Sequence, residues 1–282
     1  MRKYSSVLLS IISIVIILLF IYYAFASYFY IWPLSGFDDR NELGAFGDSW
    51  GALTSLFSAL ACIGVYAAWI EQKKATEQAL QDSRAQSNFL HAQRVESNFF
   101  QMMNYMQSMI SDMDINAKDK NGSVITLRSG RDCFDHLLKK LKVEFEKSKF
   151  NGIPLSNNKE KHKEVVLSIY DKIYVRFSND LSNYFRFLYS IFRYIECSGL
   201  PNEDVEKYAK ILRAQISDSE LCFLFYNMLS ERGEKFMPLA IKYELFDNLP
   251  DYSLLQSDHV YLLPKKALGM AAKKYDNSLF DS

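Results

Sequence analysis

From residue 4 to residue 37 the chain carries no charged side chain, and a second charge-free run extends from residue 49 to residue 70. Within the first, residues 7–29 are dominated by Ile, Leu, Val, Phe, Tyr and Ala. About 20 such residues in a helix cross the hydrocarbon of a bilayer. Residues 1–70 are therefore expected to form a two-helix transmembrane hairpin, with spans at about 7–29 and 49–70. Trp50 and Trp69 sit near the ends of the second run, and a helix of about 20 residues is about 30 Å long, so their indoles would fall at the two interfaces. Tyr28, Tyr30 and Trp32 play the same part at the outer end of the first. A cleaved signal peptide fits poorly: the apolar core is too long and no small-residue cleavage site follows it before the second span.

Charge divides the chain in two. Lys+Arg and Asp+Glu both number 33, but residues 1–70 hold only three of the basic and four of the acidic groups. Zero net charge gives no footing to a strongly basic, phosphate-seeking protein. Arg2 and Lys3 precede the first span and Lys73 and Lys74 follow the second, while the intervening loop, about 33–47, together with Asp48 after it, has one Arg against four acids. The positive-inside rule then puts both termini in the cytoplasm of a multi-pass inner-membrane protein. Cys62 falls in the membrane, and Cys133, Cys197 and Cys222 in a reducing compartment. None forms a C-x-x-C pair, so neither a disulfide framework nor a redox motif is expected.

Gly47, Gly51, Ser55 and Ala59 recur every four residues as a small-xxx-small stripe along the second span. Small side chains let another helix approach closely, and in lipid close packing drives association. The partner is either the first span of the same chain or a second copy, which would make the protein a homo-oligomer.

The remaining chain reads as an all-α cytoplasmic part, with a helical stalk at 71–98, a helical domain at 99–250 and a C-terminal segment at 251–282. Phe99, Met102, Met103, Met106, Met109, Ile110 and Met113 follow helical spacing, which makes core or, less often, an adaptable partner groove. A polar connection at 114–130 holds a short strand at 124–127. Helical patterns follow at 131–150, 163–177, 178–197, 202–215, 218–230 and 235–246, with a short basic helix at 265–274. Ser217-x-x-Glu220 is a capping box, a helix-start signal.

Chemistry motifs are sparse. There is no phosphate-binding glycine loop, no nucleophile elbow and no H-E-x-x-H, and no cofactor is implied. Cys133 and His136 make half a zinc spacing without a second pair. Arg131 and His136 resemble the R-x-x-x-x-H motif of HEPN ribonucleases, all-α domains that often pair their motifs across a dimer. That resemblance implies that the Arg would stabilise phosphate charge and the His would move the ribose hydroxyl proton. His136 reads equally as an ordinary residue of an amphipathic helix.

Three segments carry a broader resemblance: YFRFLYSIFRYI at 184–195, ILRAQISDSEL at 211–221 and KYELFDNLP at 242–250. Behind an N-terminus reading FGDSWGALTSLFSALACIGV, they resemble the phage abortive infection proteins of the AbiC type, and similar two-span proteins occur as effectors of some retrons. Tyr184, Phe185, Arg186, Arg213, Gln215 and Glu220 are the family-like positions. The resemblance implies a role in antiviral defence, and the hairpin with its packing stripe supplies a mechanism: a non-enzymatic membrane effector whose helical domain senses infection and triggers disruption of the inner membrane. The lipid bilayer, further copies of the chain, and a reverse transcriptase with its RNA–DNA product are the implied partners. The alternatives are a membrane-anchored HEPN-like ribonuclease and a non-enzymatic membrane adaptor or sensor. Arg186 and Arg213, if buried, need acidic partners, for which Glu206 and Glu220 are the candidates.

Overall fold

In a computed structural model, the described residues are 40–49, 51–118, 124–155 and 158–280, with isolated positions between Ile14 and Phe25. They divide into two compact units, residues 1–85 and 86–282. The first expected span lies almost wholly outside the described residues, so the two-helix hairpin is not shown. Among the described residues, one helix, Thr54–Ser111, is long and apolar enough to cross a membrane.

In the N-terminal unit, α1 covers Arg40–Ser49, where the sequence led us to expect an external loop. Its Glu42 stands in the first turn, where a carboxylate opposes the exposed helix N–H groups, and that favours a helix over the loop. The helix α2 then runs Gly51–Ser111 without interruption at residue 71. No Pro occurs in it, and its Gln, Glu and Ala after the apolar run are good helix formers.

The second unit is all-α overall, and the strand expected at 124–127 is present as half of a β-hairpin. Strands β1 (Asp114–Lys118) and β2 (Val124–Ser129) pair antiparallel, with a register shift between Ile115 and Asn116. Gly130, at φ 60°, turns the chain out of the hairpin while its N–H donates to the Met113 carbonyl at 2.8 Å. There α3 begins (Asp132–Glu146), burying Cys133, Phe134, Leu137, Leu138, Leu141 and Phe145 on one face.

Helices α4 (Lys159–Arg176), α5 (Ser178–Glu196), α6 (Asn202–Arg213) and α7 (Asp218–Leu229) follow. The centre of the unit is α7: from Glu220 to Leu229 every residue is buried, as a helix without a charged residue after its first turn allows. Phe223 of α7 meets Phe134 of α3, Tyr170 of α4 and Phe185 of α5 at ring-centroid distances of 5.3–6.4 Å. The methionine stripe is core: Met103, Met106 and Met113 are buried with Phe99 and Ile110.

Where a last long helix was expected at 235–246, a 3₁₀ turn (Glu231–Phe236) precedes the short α8 (Met237–Lys242). Pro238 lacks the N–H that would continue the preceding turn, and Gly233 presses against the end of α7. A Cβ there would sit 2.4 Å from the Asn227 carbonyl oxygen and 2.5 Å from Met228 Cα, so only glycine fits. The expected basic helix is a 3₁₀ segment, Lys265–Lys274, broken at Gly269.

Candidate functional site

In the N-terminal unit the chemistry is that of a surface. The side chains of Leu56, Phe57, Leu60, Ile63 and Val65 on α2 are all more than half exposed, and none of its most apolar 18-residue window is buried. An apolar face of this extent in water would be an aggregation surface, so it requires lipid or other apolar helices. At its end Tyr66 and Trp69 stack at 6.0 Å, and the Lys73 ammonium lies 5.9 Å from the Trp69 ring. An aromatic pair followed by a cation is the arrangement favoured at a membrane–water boundary. Gly51, Ser55 and Ala59 lie on α2, whereas Gly47 belongs to α1. Among the described residues, nothing lies within 4 Å of a Cβ built on Gly51.

In the second unit, two of the family-like positions, Tyr184 and Glu220, meet at a buried carboxylate. Glu220, in the first turn of α7, is fully buried, and its Oε2 accepts from the Tyr184 hydroxyl of α5 at 2.7 Å. Its Oε1 accepts from Ser217 Oγ at 3.0 Å and lies 3.5 Å from Arg131 Nη1. Ser217 Oγ in turn accepts from the Glu220 N–H at 3.4 Å, so the capping box is built as the sequence indicates. Burial pushes the Glu220 carboxyl above its ordinary range, against the hydrogen bonds from Tyr184 and Ser217 and the charge of Arg131 that pull it down. Burial likewise holds the Tyr184 phenol well above its usual value, with the Glu220 charge adding to it.

Arg131 completes the cluster. Its Nη2 donates to Gln107 Oε1 at 2.9 Å and to the Gln215 carbonyl at 3.0 Å. Thus Arg131 ties α2, α3 and the α6–α7 turn together around Glu220. His136 is half-buried, one turn along α3, and no hydrogen bond or ion pair of its ring occurs among the described residues. The Cys133 thiol donates to the Met113 carbonyl at 3.3 Å, and burial pushes its pKa up. No group of three or more His, Cys, Asp or Glu residues suited to a metal occurs among the described residues.

The expected partners of the two arginines are overturned. Arg186 is exposed and folds back along α5 to Ser182 and Asn183. Arg213 pairs with Asp247 at 3.1 Å and donates to the Tyr243 carbonyl at 3.1 Å. Glu206 is exposed and Glu220 is taken by Arg131. Sequence reasoning missed Asp247 because it lies 34 residues beyond Arg213, with α7, a turn of 3₁₀ helix and α8 between them.

The three family-like segments therefore bind one another. The first meets the second through Tyr184 and Glu220, and the second meets the third through Arg213 and Asp247. The third returns to the first, where Phe192 stacks on Tyr243 at 5.8 Å and Glu196 accepts from Lys242 and the Tyr243 hydroxyl. Asp247 Oδ1 also accepts from the Ala271 N–H at 3.0 Å, which ties the frame to the C-terminal segment.

This frame coincides with a recognisable family. Residues 176–254 match the family described as putative phage abortive infection protein (putAbiC). No curated protein and no solved structure matches the chain.

Proposed function

Taking residues 176–254 as the abortive-infection segment, we propose that the chain is a membrane-anchored effector of phage defence, with the helical unit as its sensor. The family match is the observation that carries the defence role. The membrane part is supported by the unburied apolar surface of α2 and by the Tyr66–Trp69–Lys73 boundary. The cations flanking residues 4–70 support cytoplasmic termini.

In this account the sensor restrains the apolar helices in the resting cell. Infection releases that restraint, copies of the chain pack through Gly51, Ser55 and Ala59, and the inner membrane loses its barrier. The energetic demand is modest: a difference of about 1–2 kcal/mol shifts an assembly equilibrium by about five- to thirtyfold. A retron reverse transcriptase with its RNA–DNA product is the proposed partner that reports infection, and co-purification from uninfected cells tests that pairing.

The defence role is tested by infecting cells that carry or lack the chain. At low phage multiplicity the culture should survive, and at high multiplicity it should collapse without releasing progeny. Infected cells that recover and divide while phage is cleared would rule out an abortive mechanism.

A further inference from the structure

A cleft of about 560 Å³ opens on the second unit between α4, α5 and the Glu231–Phe236 turn. Ligand pockets commonly enclose about 300–1,000 Å³, so the cleft is of ligand size. Every apolar side chain lining it is aromatic: Tyr174, Phe185, Tyr189 and Phe236. Every charged side chain lining it is a cation: Arg186, Arg232 and Lys235. The wall contains no aliphatic residue and no carboxylate.

Those charges are only partly offset. Arg232 is bonded to Asp171, outside the lining, and its guanidinium lies 4.6 Å from the Tyr174 ring centroid. Arg186 is held by the neutral groups of Ser182 and Asn183, so its charge stands uncompensated while its position is fixed. Lys235 has no ion pair among the described residues. At the base is Asn227, 3% exposed, whose Oδ1 accepts from the Tyr170 hydroxyl at 2.8 Å. That bond fixes the amide, and no acceptor for its Nδ2 donors occurs among the described residues. The close approach at Gly233 sets the turn from which Arg232 and Lys235 project.

We infer that this cleft binds a nucleoside phosphate: the anion against Arg186 and Lys235, the base between the aromatic floor and the Arg232 guanidinium, and its edge toward Asn227. An aromatic floor suits a flat heterocycle, whereas an acyl chain would call for aliphatic walls. A guanidinium 4.6 Å from one ring centroid can offer its planar face to a second flat ring. Two uncompensated cations reward negative charge, and a buried amide donor reads a ring edge. All of the lining except Tyr174 lies inside the matched segment 176–254. The inference deepens the sensor reading and rests on it only for the consequence of binding, since occupancy of the cleft can be measured alone.

The experiment is isothermal titration of the full chain in detergent micelles with ATP, GTP, CTP and UTP, their free nucleosides, and inorganic tripolyphosphate. At least one triphosphate should bind with a dissociation constant below about 1 mM, and its nucleoside and tripolyphosphate at least about tenfold more weakly. Arg186→Gln with Lys235→Gln, both exposed positions, should weaken that nucleotide about tenfold and leave the melting temperature unchanged. Failure of all four triphosphates, equal binding of tripolyphosphate, or wild-type affinity in the double variant would each overturn the site. The same variant is then tested against phage. Lost protection supports a ligand-triggered sensor, and retained protection despite lost binding removes the sensor role while the site stands.

Discussion

The Tyr184 hydroxyl donates to Glu220 Oε2 at 2.7 Å, and neither residue is exposed to solvent. The bond joins the first two family-like segments at the one carboxylate of α7 that the core encloses. Removing the donor leaves a buried acceptor short of a partner, which costs about 1–3 kcal/mol. Tyr184→Phe should therefore lower the unfolding free energy by about that amount, read by denaturant titration of the helical circular dichroism signal. Arg131→Gln should cost less, because its side chain is 40% exposed and water can replace it. A Tyr184→Phe variant as stable as the parent would show that the bond does not hold the frame.

Two buried histidines set a pH response. His162 is fully buried and neither ring nitrogen has a hydrogen-bond partner among the described residues; His259, also fully buried, has Nδ1 3.2 Å from the Tyr226 hydroxyl. Burial lowers the His162 pKa and brings that of His259 down to about 3, with the neighbouring His162 adding to the second shift. Above about pH 6.5 both states hold these rings neutral; below it the unfolded chain takes up protons that the folded one refuses, so stability falls as pH falls. Glu220 opposes this in the carboxylate range, since its raised pKa makes the folded state the better proton acceptor there. The chain should melt at a lower temperature at pH 5 than at pH 7, and His162→Leu should flatten that slope. Equal melting temperatures at the two pH values would contradict the account.

The catalytic alternative is tested separately. Arg131 is bound by Gln107, Gln215 and Glu220, a full structural role for its charge. Arg131→Gln with His136→Ala, once shown to accumulate like the parent, should retain protection against phage, with no RNA cleavage by either purified protein. Loss of protection together with loss of an RNA-cleaving activity would assign these residues to a ribonuclease site.

How much of this was legible in the sequence follows from the range of each interaction. Helices with an apolar stripe and a local start signal, such as α7 behind Ser217, were readable because both cues lie within a few residues. The hairpin was half-read: Val124 to Leu127 show strand composition, whereas Asp114 to Lys118 do not, and only pairing makes them a strand. The shortening of the last helix was hidden because the conflict of Gly233 with Asn227 is a packing matter. The family-like positions Tyr184, Arg213 and Glu220 were visible as a pattern, but their partners were not. Asp247 and Arg131 come from distant segments, and spacing carries no information about such contacts. The cleft was invisible for the same reason: its cations come from α5 and from the turn after α7.

The central claim, that infection turns an apolar helix into a breach of the inner membrane, is tested most directly by membrane potential in single infected cells. Cells carrying the chain should depolarise before progeny are released. Gly51→Leu should reach the membrane at normal level yet prevent depolarisation: a Cβ built there meets nothing within 4 Å among the described residues, and the added bulk acts on helix approach. Thr54→Leu, one position off the Gly51–Ser55 face, should be mild. An unchanged potential in infected cells that nonetheless stop growing would contradict permeabilisation, and parental depolarisation by Gly51→Leu would contradict its proposed route.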